Sequence, residues 1–185
     1  MTAPFAQRVV LAPGDGSLGP LLRLTEDRLA PGQGYGSHAH RAVDVVAVVL
    51  EGILRHTWGR DVSMQAGDVA LLRAGTGLEH DEIAGDDGAR VLQAYLRSAA
   101  PGAGPDHAVA PAPRGWVDLE RPDVLLWVAR LPPDTSLTAP AGLRVVAGPD
   151  GVTAADRPEE EIGVQGLSTV LVWQLETGRP EWAEN

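Results

Sequence analysis

The chain contains no cysteine and no lysine: all 15 of its basic residues are arginine. Without thiols it forms no disulfide and offers no thiolate to a metal. Without lysine it runs no Schiff-base or lysine-nucleophile chemistry. Positive charge is scarce as well, because 25 Asp and Glu residues leave a net charge of -10. Phosphate backbones are held by clustered cations, so no direct nucleic-acid partner is expected. Aromatic residues make up only 4%. Long apolar runs are missing too. The longest, Val45 to Leu50, falls far short of the roughly 20 residues that span a bilayer, so no membrane partner is expected. The opening MTAPFAQR has no basic stretch followed by an apolar one. No secretory signal is read there, and the expected location is cytoplasmic.

What is present reads as β-structure. The 185 residues, 44% hydrophobic and 22% charged, suit one large domain or two small ones. Gln7–Leu11 and Leu21–Leu29 read as strands around the turn-rich PGDGSLGP. Val43–Leu50 reads as a buried strand closed by Glu51-Gly52, and Ile53–Trp58 as its return. Asp61–Gln65, Val69–Arg73, Leu78–Ile83 and Arg90–Arg97 follow as short strands, with a turn expected at Asp86, Asp87 and Gly88. Closely spaced short strands with glycine-rich turns point to an antiparallel barrel or sandwich. From Ser98 the composition changes to Ala, Pro and Gly, which reads as a linker. Beyond it, Val124–Leu131, Leu143–Ala147 and Leu167–Leu175 read as strands separated by PPDTSLTAPAG and by an acidic loop holding Glu159, Glu160 and Glu161. The expected organisation is residues 1–98 as a first β domain, 99–115 as a linker, and 116–185 as a shorter β domain. No histidine follows His107, so the second domain is expected to hold no metal. The tail, with Trp182, is expected to fray or to pack by that one side chain.

Three of the five histidines fall in two tight pairs with a glutamate. His38 and His40 are one residue apart, as are His80 and Glu82. Side chains alternate between the faces of a strand, so each pair projects two groups from one face. Two such strands facing inward give a set of three histidines and one carboxylate, suited to a divalent first-row transition metal. Glu79 and Asp81 have the opposite parity and are expected to face solvent. Asp44 shares parity with His38 and His40, and its short side chain suits orienting a histidine better than reaching the ion. Tyr35 and Trp58 are candidates for a pocket mouth, with core packing the plainer role, and His56 reads as a surface or satisfied pocket histidine, not a fifth ligand. His107, in the linker, is expected to be exposed.

Gly32, His38, His40, Asp44 and Gly52 resemble the first cupin motif. Gly67-Asp68, followed by Ala74-Gly75-Thr76-Gly77 and His80, resembles the second. Within cupins, EDRLAPGQGYGSHAHRAVDVVAVVLEG and AGTGLEHDE are similar to the pirin family. The resemblance covers residues 20–97 well and the second half only in texture. Asp44 stands where the motif usually has Glu, and the chain is shorter than two full barrels.

The resemblance implies an all-β, cupin jelly-roll barrel with a shortened second cupin-like β domain. It implies one metal on His38, His40, His80 and Glu82, usually iron as Fe(II), with nickel, manganese, cobalt, copper or zinc as alternatives. It also implies a quercetinase-type dioxygenase, in which a flavonol or related enolised aromatic and dioxygen are the small-molecule partners and Glu82 is the general base. Two other readings stay open. One is a metal-binding regulatory or scaffold protein with a protein partner, and the other a non-oxidative biosynthetic cupin.

Overall fold

The structure is a computed structural model describing residues 5–177. The tail that carries Trp182 lies outside the described residues. Among the described residues there is no helix, and hence none long and apolar enough to cross a membrane. Two units make up the chain: Met1–Leu11 with Arg23–Pro113, and Ala12–Leu22 with Arg114–Asn185.

The strands of the first half are β1 Phe5–Leu11, β2 Leu21–Leu29, β3 His38–His40, β4 Val43–Trp58, β5 Arg60–Gln65, β6 Val69–Arg73, β7 Leu78–Arg97 and β8 Asp106–Ala110. They form one antiparallel sheet in the order β1-β2-β7-β4-β6-β8, with β3 added to β7 and β5 to β4. The valine-rich half of β4 is buried on both faces, as its unbroken apolar run requires. One face packs Ala47 and Val49 with Leu29, Leu54, Met64, Ala84 and Val91. The other packs Val45 with Leu72, Ala74 and Leu78. Burying a side chain such as Val49 or Leu54 contributes about 1.5–3 kcal/mol, so β4 is the strand on which both apolar clusters are built.

Two expected turns are not chain reversals. Val43–Leu50 and Ile53–Trp58 are one strand, β4, and Leu78–Ile83 and Arg90–Arg97 are likewise one strand, β7. The glycines bend the long ladder without ending it. Gly52 pairs with Ala89 and Leu54 with Ala84, so residues 85–88 of β7 stand opposite Ile53 alone. Such a bulge adds twist and redirects both strands together. Gly52 adopts φ 73 and Gly88 φ 81. A Cβ on Gly52 would run into the Gly88 carbonyl, so the bend needs glycine there.

The stretch expected as a linker contains β8, which pairs with β6 over its whole length, placing His107 opposite Leu72. Alanine-rich composition hid a strand that the ladder of β6 completes. The buried carboxylate of Asp68 helps fix it by accepting from the Ala112 amide at 3.0 Å.

In the second half, β9 Gly115–Val117, β10 Val124–Leu131, β12 Gly142–Gly148, β13 Gly151–Arg157 and β15 Ser168–Leu175 form a sheet in the order β13-β12-β15-β10-β9. Leu126, Val145, Val170, Leu171 and Trp173 are buried in it. β11 Thr135–Ala139 and β14 Glu160–Val164 form a separate two-stranded ladder. The acidic segment is therefore not simply a loop. Glu160 opens β14 and binds the buried Arg144 guanidinium at 2.6 Å, a pairing that a desolvated cation requires.

Candidate metal centre

The approach to the histidines is built by the glycine-rich segment before them. The Gly32 amide donates to Gly85, Ala84 donates to Gln33, and Tyr35 donates to Glu82, so the segment runs against β7 before β3 begins. Gly34 faces the Glu82 carbonyl so closely that a Cβ would collide with it. The result is a fixed register: His38 lies opposite His80 and His40 opposite Leu78. His38 and His40 share one face of β3, while Ala39 between them is exposed.

The donor atoms of His38, His40 and His80 lie within 4.8 Å of one another, the one such group of three among the described residues. The His38 Nδ1–H donates to the Gly36 carbonyl at 2.8 Å, which leaves Nε2 as the ring's lone pair. His80 meets the Nε2 of His56 through its Nδ1, and its own buried Nε2 has no hydrogen-bond partner. An orphaned buried nitrogen, next to two further imidazoles, fits a divalent metal better than it fits a metal-free core. Burial pushes His40 down to about 4, with His38 adding to the effect, and pushes His80 down to about 3, with His56 adding. Both are therefore neutral near pH 7, the form that ligates.

Glu82 lies outside this group of donors. It is buried on the same face of β7 as His80 and stands opposite His56 in the ladder. Its carboxylate accepts from Gln93 Nε2 at 2.8 Å, and Gln93 in turn accepts from the Tyr95 hydroxyl at 2.7 Å. Burial pushes Glu82 up to about 7, against the Gln93 hydrogen bond, with the charges of Asp27 and Asp81 adding to the rise. Burial likewise raises the Tyr95 hydroxyl to about 12. The Arg23 guanidinium sits 4.3 Å from the centre of that tyrosine ring.

The remaining candidates are placed as follows. Asp44 is buried at the start of β4, opposite Arg73 and Leu96, and accepts from the Ala99 amide at 3.4 Å. It is not in the histidine group. The Tyr35 ring lies 6.1 Å from that of His38, and its hydroxyl donates to the buried Asp27 at 2.8 Å. Trp58 is half-buried and packs with Val43 and Tyr95 against Val45, Leu72, Ala74 and Leu78. Glu79 is exposed and accepts from Ser37, whereas Asp81 is half-buried and caps the Glu82 amide at 2.7 Å.

His56 and His107 are where sequence reasoning stops short. His56 is fully buried, a satisfied histidine and not a surface one, and burial pushes it down to about 4. His107 is half-buried on β8, with its ring 4.4 Å from that of His56, not exposed in a linker. Asp27, Gln93 and Tyr95 were also missed. Gln93 carried a signal: it is a lone amide inside the apolar run VLQAYL.

The pirin family model matches residues 10–96. The chain is 34% identical over 61 residues to the quercetin 2,3-dioxygenase of Escherichia coli K12, a match covering 32% of this chain and 26% of that protein. It is 27% identical over 106 residues to a pirin-like protein of Caulobacter vibrioides, covering 56% of this chain and 46% of the relative. The aligned stretch thus spans about a quarter of the dioxygenase relative's length. Similarity in fold reaches further. The E. coli pirin YhhW, solved in complex with nickel(II), superimposes with a TM-score of 0.70 at 19% identity, covering 95% of this chain and 93% of that one. A quercetin 2,3-dioxygenase of Acinetobacter baumannii does so with a TM-score of 0.65 at 17% identity, covering 93% of this chain and 81% of the other. The motif residues, the antiparallel β architecture and the family match agree: residues 10–96 of the chain carry a domain of the pirin type.

Proposed function

We propose that the chain is a metal-dependent dioxygenase of the quercetinase type, which opens the ring of a flavonol or related enolised aromatic with dioxygen. One observation carries the reading: three imidazole donors from the paired strands β3 and β7 lie within 4.8 Å of one another, and the next residue on the His80 face of β7 is Glu82, a carboxyl group held near neutrality. The dioxygenase names of several sequence relatives support it. In this reading the small aromatic molecule and dioxygen are the partners, and the protein works in the cytoplasm.

His38, His40 and His80 would hold the ion. Iron(II) is the metal that the family resemblance favours, and nickel, manganese, cobalt, copper or zinc also suit imidazole donors. When bound, such an ion supplies a Lewis-acidic centre for an enolisable oxygen. Glu82 takes the proton from the substrate hydroxyl. A carboxyl group held at about 7 is ionised in a good fraction of molecules at neutral pH and is a stronger base than an ordinary carboxylate. Gln93 fixes the carboxylate by donating to one oxygen, so the other is available to the substrate. Leu78, opposite His40 in the ladder, packs in an apolar cluster with Leu72 and Trp58, which would limit water on that side of the site.

The test is elemental analysis of the purified protein followed by oxygen uptake with quercetin, on the wild type and on Glu82→Gln. Near-stoichiometric metal with quercetin-dependent uptake, falling at least about 100-fold in the variant, is the expected result. Bound metal with no uptake for quercetin or related flavonols would overturn the dioxygenase reading. It would favour the regulatory reading, in which the ion stabilises the fold.

A further inference from the structure

All five histidines of the chain belong to one connected set of rings. Three are the ligand candidates. The other two extend the set away from them, with His56 4.5 Å from His80 and His107 4.4 Å from His56, centroid to centroid. His56 comes from the far half of β4, beyond the Gly52 bend, and lies opposite Glu82 on β7.

A neutral imidazole carries one proton, so the nitrogen that donates and the nitrogen that ligates are different atoms. For His38 the choice is made by backbone: the Gly36 carbonyl can only accept, which puts the proton on Nδ1 and the lone pair on Nε2. His80 has no carbonyl in that position. Its Nδ1 meets the Nε2 of His56, and its Nε2 is the buried atom without a hydrogen-bond partner. If His80 is to present Nε2 as a lone pair, its Nδ1 must donate. The Nε2 of His56 must then accept, with the His56 proton on Nδ1. The His107 ring, packed against His56 on β8, restricts how His56 can turn.

We infer that His56 is a positioning residue for the metal centre, holding His80 as the Nδ1–H tautomer with Nε2 turned toward the ion, as the Gly36 carbonyl does for His38. The inference rests on the metal-centre reading of His38, His40 and His80. It adds a residue that carries no ligand spacing of its own. Hydrogen-bond partners of ligating histidines are typically worth about 10–100-fold in metal affinity.

The experiment is a nickel(II) titration of the full chain as wild type, His56→Leu and His56→Gln, with imidazole ¹⁵N shifts recorded on the metal-free proteins. Leucine fills the space without an acceptor, and the glutamine amide oxygen can accept from His80. The expected result is a loss of about 10–100-fold in nickel affinity for His56→Leu, with most of it restored in His56→Gln. The ¹⁵N shifts of wild type should place the His80 and His56 protons on Nδ1. They need no variant to fold. Equal nickel affinity in all three proteins, an equal loss in both variants, or a His80 proton on Nε2 in the metal-free wild type would overturn the inference. Absence of nickel binding in the wild type would instead overturn the metal-centre reading, and the inference with it.

Discussion

Gln93 donates through Nε2 to the carboxylate of Glu82 at 2.8 Å, and both side chains are buried. That bond lowers the Glu82 pKa against the burial that raises it to about 7. Gln93→Leu removes the donor and leaves a buried carboxylate less satisfied, at a cost of about 1–3 kcal/mol. The loss should be larger at pH 8, where Glu82 is ionised, than at pH 6, where it is mostly protonated. Urea denaturation of the metal-free protein at the two pH values checks this. An equal loss at both would mean that the amide serves packing and not the charge.

The imidazoles give a pH dependence of opposite sign. In the metal-free folded chain His40, His56 and His80 are held at about 4, 4 and 3, below the ordinary 6.5. From about pH 6.5 downward the unfolded chain takes up protons that the folded chain does not, so acidification favours unfolding. Glu82 works the other way. Raised from 4.5 to about 7, it binds a proton in the folded chain over that window and stabilises it as pH falls. Asp27, also raised by burial, adds in the Glu82 sense at the lower end. The three imidazoles outweigh these, so the urea midpoint of the metal-free protein should drop between pH 6.5 and 4.5. It should drop more steeply in Glu82→Gln. A flat or rising midpoint would show that these rings are not held neutral.

How much of this could be read in the sequence depends on the range of the interaction that fixes each residue. His38 and His40 share a face because strand side chains alternate, and that parity is local. The same holds for His80 and Glu82 on β7. The grouping of the three histidines followed from the two motifs together. His56 and His107 are different, because His56 meets its partner in the part of the β4–β7 ladder beyond the Gly52 bend, and β8 arrives through β6. Neither partnership has a sequence spacing to betray it. Gly52 and Gly88 failed in a more instructive way. Glycine after an acidic residue is a turn signal, but here it marks a bulge inside paired strands. The periodicity on either side does not distinguish the two.

Metal should be felt by the fold as well as by the chemistry. An ion that binds only the native state raises stability by mass action, about 2.7 kcal/mol when it is present at 100 times its Kd. Adding nickel(II) to the metal-free protein should raise its urea midpoint, and a chelator should reverse the gain. His80→Ala removes the ligand whose Nε2 is buried and without a partner. In that variant the gain should vanish while far-UV circular dichroism keeps its β character. If His80→Ala still gained stability from nickel, the ion would be binding elsewhere.

The bend at Gly52 links the barrel to the site, because His56 lies beyond it on β4 and meets His80 on β7. Gly52 needs both a positive φ, 73, and empty space, since a Cβ would strike the Gly88 carbonyl. Left-handed backbone alone costs a non-glycine residue about 1–2 kcal/mol. Gly59, at the tip between β4 and β5, has φ 67 but open space where a methyl group would stand, with no atom within 4 Å, so it isolates that backbone cost. Gly59→Ala should therefore lose about 1–2 kcal/mol and keep its nickel affinity. Gly52→Ala should lose clearly more, because backbone atoms of β7 must move to admit the methyl group, and it should weaken nickel binding as His56 is displaced from His80. Equal losses in the two variants, with nickel affinity untouched, would mean that the strands absorb the methyl locally and that the bend does not set the register of the site.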